Sequence, residues 1–251
     1  MSGLFGVVSH SDCASDLFYG TDYHSHLGTE VAGLAVLDGF FRHRIHSIRN
    51  TQFKSRFAPE LADLYGKSGI GVISDSNTQP FVVSSKAGDF AIVTAGLITN
   101  KDRLAEDLIA RGQSFSEVSR GEINASELVA KIIASGASIV DGIKDVFDAV
   151  EGSVSMLLLG REGIYAARDA RGRTPLVVAS REGSMAVASE STAFHNLGYK
   201  PEKFLEPGEI VRITADGAET VSKGTKGCKI CSFLWIYTGY PASSYEGISV
   251  E

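Results

Sequence analysis

The chain has 251 residues, 43% of them hydrophobic, and 24 Lys+Arg against 30 Asp+Glu give a formal net charge of -6. That is enough apolar material to bury one layered domain or two small ones, which argues against disorder. The acidic balance leaves no electrostatic footprint for nucleic acid or an anionic membrane, and no apolar run approaches the roughly 18 residues of a membrane span or follows a charged leader, so a cytoplasmic protein is expected.

The opening "SGLFGVVS" reads as a glycine-punctuated apolar strand over 3–9, with Ser2 at its start. Ser11 or Asp12 is placed to cap a helix carrying Leu17, Phe18 and Tyr19 that fades near Gly28. Strands follow at "VAGLAVLDG", "FFRHRIHSI", "GIGVISD", "PFVVSS" and "FAIVTAGL". In the second of these Arg42, Arg44 and His46 alternate with Phe41, His43 and Ile45, the pattern of a wet strand face rather than a phosphate site. Asn100 is the expected cap of "KDRLAEDLIARG", which stops at Gly112. Asn124 is the expected cap of the next helix, with Glu127 three residues on as its capping-box partner.

A third helix, "SIVDGIKDVFDAV", ends near Gly152, and strands resume at "SVSMLLLG", "GIYAARD", "PLVVAS", "SMAVAS", "GEIVRITADG" and "AETVS". Strands on both sides of a helix group do not alternate β and α, so antiparallel sheets stacked face to face, with helices outside, are expected in an α+β protein. Past the polar "SKGTKGCK", the last segment concentrates Phe233, Trp235, Tyr237, Tyr240 and Tyr245. So many rings are not left in water. Residues 231–247 should therefore cross the domain surface or dock on a second copy or another domain.

Three cysteines, Cys13, Cys228 and Cys231, are too few and too unevenly placed for a disulfide framework. The one C-x-x-C supplies two thiolates where a structural zinc takes four ligands, so no metal is assigned. His24 and His26, two apart, read as packing or solvent residues rather than ligands. Asp169 is placed to make an Asx-type turn and Glu190 to cap or pair locally.

The order of motifs resembles the N-terminal glutaminase domain of the amidophosphoribosyltransferase family, class II glutamine amidotransferases of the Ntn-hydrolase superfamily. "SGLFG" sits where that family has Cys-Gly-x-x-Gly, and "HLGTEVAG" is similar to His-Arg-Gly-Gln-Glu-x-Ala-Gly. "IGVISDSNTQP" matches Ile-Gly-His-x-Arg-Tyr-x-Thr running on to Gln-Pro, "TAGLITN" matches His-Asn-Gly-x-Leu-x-Asn, and "NASELV" matches Ser-Asp-Thr-Glu-x-Leu. "ARDARGRTPL", "VASESTAF", "EPGEIV" and "CSFLWIY" follow in the family's order, so the resemblance runs nearly end to end. It implies a four-layer αββα Ntn-type sandwich.

The family's chemistry uses an N-terminal Cys thiolate with its own α-amine as base, an Asn side chain and a Gly N–H for the oxyanion, and an Arg and an Asp for the two charged ends of glutamine. Carried over position by position, the nucleophile is Ser2, the Arg is Ser74, the oxyanion Asn is Ala95 and the Asp is Ala125. Gly96, which acts through its backbone, persists, while the Arg of His-Arg-Gly is Leu27. The resemblance thus implies a degenerate glutaminase site. It further implies a glutaminase-like domain over 1–230 and an aromatic tail over 231–251 leading toward a phosphoribosyltransferase domain not contained in these residues.

The expected role is structural or regulatory support for that phosphoribosyltransferase partner in cis or trans, within a homo-oligomer and without nucleic acid or membrane. One rival is an active amidohydrolase using Ser2 after removal of Met1, and another is a small-molecule sensor in the emptied pocket. In some family members the Cys at the position of Cys231 ligates an iron–sulfur cluster. Its other ligands would lie past residue 251, and no cofactor is assigned.

Overall fold

A computed structural model describes residues 2–116, 118–119 and 121–251. Its layering follows from strands that are apolar on both faces. In β1 (Ser2–Ser9), Leu4 and Val8 point to one side and Phe5 and Val7 to the other, and all four are buried. Such a strand needs cover on both faces.

The first half continues with α1 (Ala14–Asp22), β2 (Val31–Asp38), β3 (Phe40–Ser47), α2 (Phe53–Phe57), β4 (Ser68–Ser74), β5 (Phe81–Ser85) and β6 (Gly88–Ile98). The helices α3 (Lys101–Ala110), α4 (Ala125–Ser135) and α5 (Ile139–Ala149) follow, with a minimal hairpin of β7 (Val118–Ser119) and β8 (Glu122–Ile123) between the first two. Then come β9 (Gly152–Gly160), β10 (Gly163–Ala167), β11 (Val177–Arg181), β12 (Ser184–Ala188), α6 (Thr192–Leu197) and β13 (Lys200–Phe204). The chain closes with β14 (Ile210–Thr214), β15 (Gly217–Ser222) and a short hairpin of β16 (Ser244–Tyr245) and β17 (Ile248–Ser249).

Two antiparallel sheets result, one in the order β13-β11-β12-β1-β4-β2-β3 and the other β15-β14-β10-β9-β6-β5. Leu4, Ile70 and Val72 of the first meet Val93, Leu157 and Leu159 of the second between the sheets. Outside the first sheet, Phe5 and Val7 pack on Leu17 of α1, Phe53 of α2 and Phe194 of α6. Outside the second, Phe90 and Ile92 pack on Val129 and Ile133 of α4 and Ile143 of α5. The fold is therefore the expected four-layer αββα sandwich, with Ser2 at the end of a central strand. No helix among the described residues is long and apolar enough to cross a membrane.

Several local expectations change. α1 stops at Asp22, because the chain turns through Ser25–Leu27 to bury Leu27 and lay Gly28 against the Ser74 backbone. Asn100 does not cap α3. Its amide instead donates to Ala149 O and its Oδ1 accepts from Glu151 N–H, fastening the start of α3 to the end of α5. Asn124 does cap α4, accepting from Ser126 and Glu127 N–H, while the Glu127 carboxylate accepts from the Ser116 N–H and hydroxyl. The basic stretch on edge strand β3 is neutralised locally, with Arg42 between the Phe40 and Tyr65 rings and Arg44 paired with Glu60 and Asp63.

Candidate functional site

Ser2 faces Ser74 across the β1–β4 ladder, and its hydroxyl donates to Ser74 Oγ at 3.2 Å. Ser74 is fully buried and also accepts from the N–H groups of Ser76 and Asn77. Among the described residues no basic side chain hydrogen-bonds the Ser2 hydroxyl. Its proton is directed at another weakly basic oxygen, which cannot serve as a general base.

On the facing sheet, Ala95 and Gly96 lie opposite Ser155 and Val154 of β9. Gly96 has φ +150, and a Cβ there would overlap Ser153 O, so the packing of β6 on β9 requires glycine irrespective of chemistry. Behind them a buried amide network ties β6 to α4: Thr94 N–H donates to Gln79 Oε1, Gln79 Nε2 donates to Thr94 O, and the Ser126 hydroxyl meets both side chains.

These elements enclose a cavity of about 480 Å³. Ser2, Leu27, Ala95 and Gly96 share its walls. Ser74 lies beside Ser2 without lining it, and Ala125 opens α4 behind the network, its N–H directed at Asn77 Oδ1. Two charged residues that the carried-over positions do not include, Asp75 and Arg173, also line the cavity. Asp75 stands one residue past the carried-over position Ser74, so a charged neighbour there was the available signal. Asp75 accepts from the Thr29 N–H at 2.8 Å and from its hydroxyl. Arg173 rides on a loop set by buried Asp169, whose carboxylate accepts from the N–H groups of Arg171 and Thr174 in the Asx-type turn expected for it.

The tail forms the remaining wall. Cys231, Leu234 and Tyr245 line the cavity, and Leu234, Ser243 and Tyr245 are buried while Phe233, Ile236, Tyr237 and Tyr240 face outward. The segment therefore crosses the domain surface with one side buried. Glu190 anchors it, accepting from His26 Nε2–H, Tyr240 N–H and Ser243 Oγ, each at 2.6 Å. Glu190 thus bridges distant segments instead of pairing locally, and its partner His26 is solvent-exposed, within the packing-or-solvent expectation. His24 is the packing residue, fully buried with Nδ1–H donating to Gly20 O, and burial pushes its pKa down. A second anchor is Arg168, fully buried, which donates to Leu205 O, Gly172 O and Cys228 Sγ and pairs with Glu246 of the tail at 2.7 Å.

Burial works to raise the Glu190 pKa, but the hydrogen bonds from His26, Ser243 and the Tyr240 N–H outweigh it and hold the carboxyl below the usual glutamate value of 4.5. A carboxyl with a depressed folded pKa contributes stability above its unfolded value and loses it as pH falls through the folded one. Trp235, the single tryptophan, lies edge-on to Tyr245 at 5.3 Å and reports on the tail. Its emission should stay constant from neutral pH down to the usual glutamate value of 4.5 and shift toward that of a solvated indole as the pH falls below it. In Glu190→Gln that acid step should vanish, and a step of unchanged size in the variant would remove Glu190 as its cause.

Against known proteins, the glutamine amidotransferase domain family matches residues 68–196. Among curated relatives, the amidophosphoribosyltransferase of Methanocaldococcus jannaschii is 31% identical over all of this chain and 58% of its own length. That of Bacillus subtilis is 28% identical over 99% of this chain and 54% of its own. The chain thus spans little more than half the length of these relatives. A solved structure described as the allosteric regulatory enzyme of purine biosynthesis superposes with a TM-score of 0.88 at 26% identity, covering 99% of this chain and 55% of that one. The B. subtilis glutamine phosphoribosylpyrophosphate amidotransferase, solved with ADP and GMP, gives 0.86 at 27% identity, over 99% and 55%. The chain therefore belongs to the family of glutamine amidotransferase domains and is homologous to the N-terminal part of the amidophosphoribosyltransferases.

Proposed function

We propose that this chain is a catalytically degenerate glutaminase-like domain whose role is structural or regulatory support of a phosphoribosyltransferase partner, in cis or in trans. The observation that carries the reading is the Ser2–Ser74 hydroxyl pair: the nucleophile's place holds an unactivated hydroxyl hydrogen-bonded to the residue standing where the family's arginine would be. Ala95 stands in the place of the oxyanion amide, and its methyl group offers no donor. Leu27 and Ala125 add no charge where the family's site has it.

Residues 231–251 are the expected path toward the partner domain, and the outward rings Phe233 and Tyr237, stacked at 5.0 Å, give such a partner an apolar surface to cover. The test is ammonia release from glutamine by the chain. A background rate supports the reading, whereas saturable turnover returns Ser2 to the role of nucleophile.

A further inference from the structure

Loss of the reagents has not closed the space they would serve. At about 480 Å³ the cavity lies within the range of sites that hold small ligands. Its lining is predominantly hydrocarbon, from Leu27, Ala95, Pro175 and Leu234. Against those four residues a primary amide such as the end of glutamine would be desolvated without a partner. A methylene chain or ring would instead exchange water for apolar contact.

The polar features of the cavity are uneven. Arg173 is exposed, and its guanidinium has no hydrogen bond or ion pair among the described residues, although Asp169 fixes the loop that carries it by accepting from the N–H groups of Arg171 and Thr174. A guanidinium held at the mouth of an apolar cavity is suited to a carboxylate, which it meets through two parallel N–H groups. Asp75 on the same wall adds a negative charge that opposes a dianion such as a phosphate monoester. Ser2, Thr174 and Ser189 contribute hydroxyl-bearing side chains and no further charge.

We propose that the cavity binds a small organic acid with a branched or aromatic hydrocarbon body and a single carboxylate. The body packs against Leu27, Pro175 and Leu234, and the carboxylate sits on Arg173. This ligand class deepens the reading of the site as one that no longer takes glutamine. Because Leu234 and Tyr245 belong to the tail, the ligand also contacts the segment that carries Trp235, so occupancy has an optical readout.

The experiment is calorimetry on the full chain with 3-phenylpropanoate and 4-methylpentanoate as probes, alongside Trp235 emission. Saturable binding with a change in emission is expected for both acids. The corresponding primary amides should bind about tenfold more weakly, as should the acids to Arg173→Leu, since a charge-assisted hydrogen bond contributes on that scale. Ala95→Phe, which projects a ring into the cavity, should weaken binding while far-UV circular dichroism stays unchanged. Absence of saturable binding, equal affinity in Arg173→Leu, or equal affinity for phenyl phosphate would each overturn the proposal. Glutamine is titrated separately: its binding would count against the degenerate-site reading even if the acids bind as expected.

Discussion

Glutamine incubated with the chain should release ammonia at the background rate, whether or not Met1 has been removed. Removing one oxyanion donor alone costs about 2.7 to 4 kcal/mol of transition-state stabilisation, and Ala95 offers none. Exchanging a thiolate for a hydroxyl adds to the deficit, and the Ser2 proton points at Ser74 Oγ, itself a hydroxyl. Effects within one catalytic unit do not add linearly, so these figures bound the loss and do not sum. Binding should fail for a separate reason, because the carried-over positions Ser74 and Ala125 cannot pair with a charged end of the substrate and Asp75 of the lining is already engaged by the Thr29 N–H and hydroxyl. Ser2→Cys alone should therefore leave the rate at background, and calorimetry should find no saturable glutamine binding. Ammonia release from glutamine that saturates with substrate in the unmodified, Met1-processed chain would sink the prediction.

Arg168→Met should destabilise the fold by about 1–3 kcal/mol for each buried carbonyl that it leaves short of a donor. The guanidinium is fully buried and serves four groups at once: the carbonyls of Leu205 and Gly172, Cys228 Sγ and the Glu246 carboxylate. Methionine fills much of the volume but leaves both carbonyls short of a donor. Lysine should not rescue, since one ammonium cannot reproduce the planar fork that reaches Leu205, Gly172 and Glu246 together. Glu246→Gln should cost less than Arg168→Met, because that side chain is partly exposed and its amide oxygen still accepts from the guanidinium. Urea unfolding separates the cases. An Arg168→Met midpoint indistinguishable from that of Glu246→Gln would show that the buried guanidinium is not the anchor described.

Much of the fold was legible because its strands carry their environment in their composition. β1, β6 and β9 are apolar at successive positions, and such runs belong between two layers. The strand Lys200–Phe204 was not legible, since "KPEKF" is polar and contains a proline that only an edge strand tolerates. α2 and α6 were missed because five or six residues hold too little of a helical period to register. At the site, the positions of Ser2, Leu27, Ala95 and Gly96 could be read from motif order, and they do share one cavity.

Arg173 and Asp75 could not be read in that way, because membership of a cavity depends on which loops meet and not on spacing along the chain. The anchor at Glu190 joins His26, 164 residues earlier, to Tyr240, 50 residues later. No local pattern encodes a contact of that kind.

The outward side of the tail also governs how isolated chains behave toward one another. Tyr237 is 74% exposed, Ile236 66% and Phe233 57%, which gives a short-range attraction of hydrocarbon for hydrocarbon. The net charge of -6 supplies a longer-range repulsion. That repulsion extends about 10 Å at 0.1 M salt and about 3 Å at 1 M. Raising the ionic strength strips away the repulsion and leaves the attraction, so colloidal stability falls as salt rises, opposite to a protein whose copies adhere through complementary charges.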